Sequence, residues 1–213
     1  MCFPEKGSVA FQGEPLTDEY LSGQTEFEFR RRVALVFQNP DVQLFNPSVF
    51  DEVAFGPLQL QWPKEQIRLR VVEILEQMEI AHLKDRSPHH LSTGEKKRVA
   101  LASVLILDPE VLLLDEPTAA LDPKSESQMI DFLVGCSGGR KTVITATHDL
   151  DLVDDIADYC HVFERGRIVA GGTPSEVLGD HALLLRANLI HAHRHAHDSG
   201  EIHSHPHRHG HGH

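Results

Sequence analysis

Cysteine is scarce in this chain of 213 residues. Its three cysteines, Cys2, Cys136 and Cys160, are odd in number and never spaced as CxxC. A disulfide framework or a thiolate zinc site requires paired or closely spaced cysteines. The sequence therefore predicts three free thiols, which suits a protein of a reducing cytosol.

Long apolar runs and positive charge are also in short supply. No stretch approaches the roughly 18 apolar residues that span a bilayer, and the opening MCFPEKGS lacks the apolar core of a signal peptide. The chain has 20 lysines and arginines against 32 aspartates and glutamates, a net charge of -12. Because nucleic-acid backbones bind cationic surfaces, DNA and RNA are not expected partners. Any membrane role is expected to act through a partner protein.

The sequence does contain an alternation of apolar strand patterns and helical segments, which predicts an α/β fold with a parallel sheet. Buried strands are expected at 33–37, 111–114 and 141–147. The carboxyl ends of parallel strands meet at one edge of a sheet, where ligands bind. Gln38, Asp115, Glu116 and His148 follow these runs, so the sequence predicts that they gather at this edge.

Helical signals occupy much of the remaining chain, and the interval 41–108 is predicted to form a helical lobe. One apolar face at helical spacing is expected within it, formed by Ile67, Val71, Ile74, Leu75 and Met78. A second helix is expected from Ser92 to about Leu107, because Ser92 and Glu95 have capping-box spacing. The glycine-punctuated segment 7–16 predicts a small antiparallel hairpin.

The composition changes abruptly after Asn188. The segment 189–213 contains 10 of the 16 histidines and few apolar residues, so it is expected to be a disordered tail. Imidazole nitrogens bind Ni²⁺, Co²⁺, Zn²⁺ and Cu²⁺, and H-x-H alternation can place several around one ion. An affinity tag is the alternative interpretation, although tags are normally uninterrupted histidines. The candidate ligands are His191, His193, His195, His197, His203, His205, His207, His209, His211 and His213.

Two successive carboxylates, Asp115 and Glu116, follow the apolar run VLLL. Asp115 is suited to holding Mg²⁺ through its hydration shell. Glu116 is suited to orienting or deprotonating the attacking water in phosphoryl transfer. An ordinary acidic turn at Asp-Glu-Pro is the alternative interpretation.

The string LSTGEKKR, residues 91–98, can be read in two ways. In the functional interpretation it is an anion site, because Gly94 permits close approach and the free N–H groups of a helix start attract phosphate. In the alternative it is only a well-capped helix. Lys96, Lys97 and Arg98 are expected to form a solvated face.

Three further side chains are ambiguous when taken singly. His148 could hydrogen-bond the γ-phosphate and the attacking water, or could simply be a hydrogen-bonded histidine at a strand end. Gln38 could bind Mg²⁺ and water, or could be a loop amide. Asp122, in AALDP, allows the same two kinds of interpretation.

The ordered set of motifs resembles that of the ABC ATPases. LSTGE, VLLLDEP, AALDP and ATHD are similar to the signature motif, Walker B, D-loop and switch histidine of that family, and VFQNPD is similar to its Q-loop. The resemblance covers roughly 7–188. It implies a P-loop NTPase-type domain over 1–188, with a helical subdomain at about 41–108 and a remnant of an antiparallel β subdomain. The implied ATP and Mg²⁺ contacts are Gln38, Ser92, Gly94, Glu95, Asp115 and Asp122, and the implied hydrolytic residues are Glu116 and His148.

Two longer strings, VFQNPDVQLFNPSVFDEVAFGP and LSTGEKKRVALASVLILDPEVLLLDEPTAALDP, are particularly similar to the cobalt and nickel importer ATPases of the energy-coupling-factor group. In that group, a pair of ATPases on the cytoplasmic face of the membrane binds an integral membrane subunit. The resemblance implies nickel or cobalt transport, both of those partners and a peripheral membrane location. An ABC ATPase for another substrate is the alternative. Chromosome-maintenance ATPases are disfavoured, because the interval from Gln38 to Ser92 cannot hold their heptad arms.

The family's P-loop, GxxxxGK followed by Ser or Thr, does not occur in this chain. The string GGRKT at 138–142 leads into a predicted strand, whereas a P-loop follows a strand and opens a helix. A P-loop would be expected before Gly7, so a misplaced start codon, a gene break or a truncation is inferred. The alternative is a catalytically incompetent remnant that buffers metal or pairs with a complete ATPase.

The purified 213-residue chain is therefore expected to have negligible ATPase activity. In ABC dimers, ATP lies between the P-loop and Walker B of one subunit and the signature of the other. A homodimer of this chain would present signatures with no P-loop opposite them. Phosphate release by the purified chain measures the activity, and vanadate-sensitive turnover would contradict the expectation.

Overall fold

The computed structural model of the protein describes residues 6–136, 139, 141–196 and 202–207, with backbone alone for Gln24 and for the residues after Ile190. The described strands are β1 Ala10–Phe11, β2 Glu14–Pro15, β3 Val33–Val36, β4 Val111–Asp115, β5 Thr142–Ala146, β6 Cys160–Glu164, β7 Arg167–Gly172, β8 His191–Ala196 and β9 Ile202–His207. The described helices are α1 Gln24–Arg32, α2 Val49–Gln59, α3 Lys64–Gln77, α4 Thr93–Leu105, α5 Pro123–Cys136, α6 Leu150–Ile156, α7 Pro174–Gly179 and α8 His181–Arg186.

The chain divides into two compact units. The first comprises Met1–Ser125 with Gly138–Thr145, and the second comprises Glu126–Ser137 with Ala146–His213. The expectation of one ATPase domain over 1–188 stays a prediction. No helix in the described part of the chain is both long and apolar enough to cross a membrane.

The central sheet of the first unit has the strand order β3-β4-β5. β3 and β4 are parallel, with Val33 opposite Val111 and Val36 opposite Leu114, which confirms the predicted parallel α/β sheet. The expectation of buried strands holds only in part: Ala34, Val36, Leu112 and Leu114 are buried, but other strand residues are not. Leu35 is 43% exposed and Ile144 is 55% exposed, because the described elements cover only alternate positions of these strands.

The segment between β3 and β4 is helical, as the sequence predicts. Its helix α3 and the C-cap residue Met78 bury the expected apolar face: Ile67, Val71, Ile74, Leu75 and Met78. α4 begins one residue after Ser92 and ends at Leu105. The short hairpin of β1 and β2 is also confirmed, with Phe11 opposite Glu14.

Helix α1 has no counterpart among the predicted elements. Its sequence QTEFEFRRR places three consecutive arginines in its last turn. Positive side chains stabilise this end of a helix, because the C-terminus carries the negative end of the helix dipole. Arg32 connects this end to the start of β4, because its Nε lies 2.7 Å from Oε1 of Glu110. The hydrogen bond from Arg32 lowers the pKa of Glu110.

The second unit contains the antiparallel pair β6 and β7, where the sequence predicts strands at roughly 159–163 and 167–170. Thr173 caps α7 in a capping box with Glu176, and Pro174 occupies the first helical position. Within the predicted tail, the backbone of β8 and β9 forms an antiparallel pair. The other tail residues after Ala196 lie outside the described residues.

Candidate functional site

Three of the predicted residues leave neighbouring strands at the same edge of the sheet. Val36 lies opposite Leu114 in the parallel register, so Gln38 and the pair Asp115 and Glu116 follow the two strands at their common carboxyl end. Gln38 and Asp115 are exposed, and Glu116 is half-buried. The register therefore places the amide and both carboxylates at the predicted edge of the sheet, and their joint role in binding a ligand stays a prediction.

The signature string forms the N-terminus of α4 through a complete capping box. The backbone N–H of Ser92 donates to Oε2 of Glu95 at 2.8 Å, and the N–H of Glu95 donates to Oγ of Ser92 at 3.3 Å. The first of these bonds is the largest cause of the lowered pKa of Glu95. Since the charged form is favoured by folding, its stabilisation is present above the ordinary glutamate pKa and is lost as the pH falls through the lowered value.

Asp122, in the string AALDP, lies against this helix start. Ser125 Oγ donates to Oδ2 of Asp122 at 2.6 Å, and this bond is the main cause of the lowered pKa of Asp122. A Cβ added to Gly94 would lie 2.8 Å from Cβ of Ser125, closer than real side chains approach. Gly94 is therefore required so that the α4 backbone can touch the start of α5.

Lys97 contradicts the expectation of a solvated basic face. It is only 3% exposed, and its Nζ donates to three main-chain carbonyls, those of Glu116 at 2.9 Å, Pro117 at 3.0 Å and Ala119 at 2.7 Å. Burial lowers the pKa of Lys97, while the Glu116 carboxylate acts in the opposite direction. Lys97 points inward because it shares a helix face with Gly94 and Leu101, which are also buried.

The sequence pattern of the ABC transporter family matches residues 2–119, more than half of the chain. The chain belongs to the ABC transporter family. It is an ATP-binding subunit of that family, whose chemistry is ATP hydrolysis coupled to transport. The assignment of Gln38 to the family's Q-loop, and of Asp115 and Glu116 to its Walker B motif, stays a prediction with which their shared sheet edge agrees.

Close relatives support this assignment along most of the chain. The nickel import ATP-binding protein NikO of Rhodobacter capsulatus is 56% identical over 88% of this chain and 76% of its own length. The energy-coupling factor transporter ATP-binding protein EcfA of Methanocaldococcus jannaschii is 45% identical over 87% of this chain and 66% of its own length. Among solved structures, cbiO1 of Clostridium perfringens, part of the complex cbiONQ, is 40% identical with a TM-score of 0.73. That match covers 87% of this chain and 73% of cbiO1.

The donor set of this ABC site fits Mg²⁺ and the charge of ATP. Carboxylate and amide oxygens are ligands that Mg²⁺ prefers, and Asp115 and Gln38 supply one of each. The start of α4, beside Gly94, is the positive end of the helix dipole, which suits a phosphate. When bound, Mg²⁺ would neutralise the charge that develops on the transferred phosphoryl group.

The predicted switch histidine, His148, lies in the second unit. His148 is exposed and is separated from the end of β5 by one residue, Thr147. The next residue, Asp149, caps α6 by accepting hydrogen bonds from the N–H groups of Asp151 at 3.0 Å and Leu152 at 3.2 Å. The role of His148 toward a γ-phosphate stays a prediction.

Only some of the predicted histidine ligands of the tail lie among the described residues. His197, His209, His211 and His213 lie outside the described residues, and the other six are described by their backbone alone. Among the side chains that the structure describes, no group of three or more His, Cys, Asp or Glu could hold a metal ion.

Two features were not predicted from the sequence: the burial of Lys97 and the contact between Ser125 and Gly94. A signal for Lys97 was present, because helical spacing from Gly94 and Leu101 places it on the buried face. Ser125 carried no comparable signal, because its neighbour comes from a distant part of the chain.

Replacing Ser92 with alanine is expected to lower the free energy of unfolding by about 1 kcal/mol, because the N–H of Glu95 loses its acceptor. Chemical unfolding followed by circular dichroism measures the change. Thr93→Ala is the control, since Thr93 is exposed and is not the cap. Equal unfolding midpoints for Ser92→Ala and the wild type would contradict the capping role.

Proposed function

We propose that this chain is the ATP-hydrolysing subunit of an energy-coupling-factor type importer for nickel or cobalt, bound to the cytoplasmic face of the membrane. The observation that carries the proposal is that Gln38, Asp115 and Glu116 lie at the same edge of the sheet. The signature helix α4 is hydrogen-bonded to the backbone of Glu116 through Lys97. The 56% identity to a nickel import protein supports the choice of ion.

A second ABC ATPase subunit is proposed as a partner. Ser92 and Thr93 are exposed at the start of α4, which leaves the signature accessible to a nucleotide held by another subunit. Residues 1–213 contain no GxxxxGK string followed by Ser or Thr, and the partner subunit is proposed to supply the P-loop that faces this signature. His148 is proposed to align the γ-phosphate and the attacking water.

The membrane subunit is proposed to dock on apolar side chains of the helical lobe. Phe45 is 62% exposed, and its ring contacts that of Phe55 edge-on with centroids 5.0 Å apart. Val42 is exposed on the short 3₁₀ helix Pro40–Val42, and Leu58 is exposed on α2. Aromatic and aliphatic side chains of this kind suit the apolar face of a helix from a membrane protein.

The histidine-rich tail is proposed to bind the transported metal before or after transport. In the register of β8 and β9, three histidine pairs lie opposite one another: His191 with His207, His193 with His205, and His195 with His203. Because strand residues alternate between faces, the three pairs share one face of the ribbon. Pairs of imidazoles suit Ni²⁺ and Co²⁺, and also Zn²⁺ and Cu²⁺.

Removal of the tail after Ile190 is expected to abolish most Ni²⁺ binding in equilibrium dialysis. Replacing the six paired histidines with asparagine is expected to have nearly the same effect, because imidazole nitrogens are lost while the chain length is kept. The matched control replaces His82, His89 and His90 in the lobe and is expected to leave binding unchanged. Undiminished binding by the tailless chain would contradict the proposal.

Radioactive uptake in cells tests the function as a whole. Deletion of the chromosomal gene is expected to lower accumulation of nickel, cobalt or both, and to leave zinc uptake unchanged. Restoring the gene at its own locus should restore uptake. If nickel and cobalt uptake are both unaffected, the proposed substrate class is wrong, whereas loss of another solute's uptake would support a different ABC importer.

A further inference from the structure

We propose that Lys97 is a positioning residue for ATP hydrolysis, which holds the backbone that carries Glu116 against the signature helix α4. All three of its ammonium donors are used by one short loop, through the carbonyls of Glu116, Pro117 and Ala119. The inference rests on the proposed function, because Glu116 must act in hydrolysis for its position to matter.

The chemistry of Lys97 argues against a role in packing alone. A buried ammonium loses its hydration, and its interactions must replace that loss. At 3% exposure, an apolar side chain of similar length would fill the same space without this penalty. The property that distinguishes lysine here is a compact charge that can bind several carbonyls of one turn at once.

The loop itself needs such a restraint. Glu116 and Ala120 both have left-handed backbone conformations, with φ values of 47° and 59°. Residues with a Cβ rarely adopt this region, and they remain there only where the surroundings enforce it. Lys97 binds the carbonyl of Glu116 and that of Ala119, so it holds the turn at both of these positions.

A second contact joins the same two parts of the chain. Gly94, one helical turn before Lys97, lies against Ser125, and Ser125 is hydrogen-bonded to the D-loop residue Asp122. The signature helix α4 therefore contacts this part of the chain at two places. Lys97 binds the carbonyl of Glu116 at the start of the loop, and Gly94 lies against Ser125 just after its end. In an ABC dimer, the signature contacts one nucleotide while Glu116 acts at the other. A displacement of α4 would therefore reach Glu116 through Lys97.

Lys97→Met tests the positioning role in the ATPase complex purified from cells whose chromosomal gene carries the change. We expect kcat to fall about 10–100-fold, because small displacements of a reacting group cost about that much. KM for ATP should stay within about threefold, because the groups that bind ATP are kept. A residue that only stabilised the fold would not lower kcat while leaving KM unchanged at a temperature where the variant is folded.

The matched control for lost stability is Leu75→Ala, which opens a cavity in α3 away from the loop. Its kcat should equal that of the wild type at a temperature where circular dichroism shows both variants folded. If Lys97→Met keeps its kcat, or if the two variants lose activity in parallel, the positioning role is overturned. If the wild-type complex itself hydrolyses no ATP, the proposed function fails first and this inference fails with it.

Discussion

Glu116→Gln in the chromosomal gene is expected to lower ATP turnover and metal uptake by about 10²–10⁴-fold, the contribution typical of a general base. Glutamine keeps the size of the side chain and can still hydrogen-bond water, but it cannot accept a proton. The carbonyl of Glu116 would remain bound by Lys97, so the fold of the loop should be preserved. Uptake of radioactive nickel or cobalt and phosphate release by the purified complex both measure the effect.

Glu110→Gln is the matched control for that experiment. Glu110 directly precedes β4, at the end opposite to Glu116, and forms an exposed ion pair with Arg32. Exposed pairs contribute little to stability, so turnover should change less than about twofold. Full activity of Glu116→Gln would show that another group activates the water, and the assigned role of Glu116 would then be wrong.

Glu52→Ala is expected to lower the free energy of unfolding by about 2–4 kcal/mol, because two N–H groups lose their acceptor. Glu52 is 3% exposed on α2. Its Oε2 accepts hydrogen bonds from the N–H groups of Phe45 at 2.8 Å and Asn46 at 2.7 Å. These bonds hold the loop that presents Phe45 to solvent. Chemical unfolding of the purified chain measures the loss.

Glu52→Gln separates the hydrogen bonds from the charge, because its amide oxygen can still accept both N–H groups. We expect this variant to lose less stability than Glu52→Ala. The surface control is Glu65→Ala at the start of α3, where the ion pair with Arg68 is exposed. Equal stability of Glu52→Ala and the control would show that Glu52 does not hold the loop.

Local patterns were sufficient to predict most elements of the first unit. The apolar face of α3 follows from helical spacing, and the start of α4 follows from the capping box of Ser92 and Glu95. The carboxylates of Asp115 and Glu116 could be placed because they end a run of four aliphatic residues. Each of these signals lies within about one turn of helix or one strand, where short-range sterics and hydrogen bonds decide the structure.

Other features depend on residues that are distant in sequence. The sheet register that brings Gln38 beside Asp115 joins strands separated by the whole helical lobe. Exposure of Leu35 and Ile144 depends on which elements cover each face, and an apolar run does not record this. Similarly, an acidic residue such as Glu52 looks like a surface residue until the N–H groups that it binds are known.

By itself, the sequence determined the family of this protein, the order of its motifs and the residues at the end of each strand, because these depend on residue types at short spacings. Only the tertiary structure decided that Lys97 is buried against the loop of Glu116, and that Gly94 touches Ser125. The reason is physical, since a lysine side chain that stays in water on the surface of a helix costs little free energy. Whether it is instead buried depends on carbonyls about 20 residues away in the chain, which fold into reach of its ammonium group.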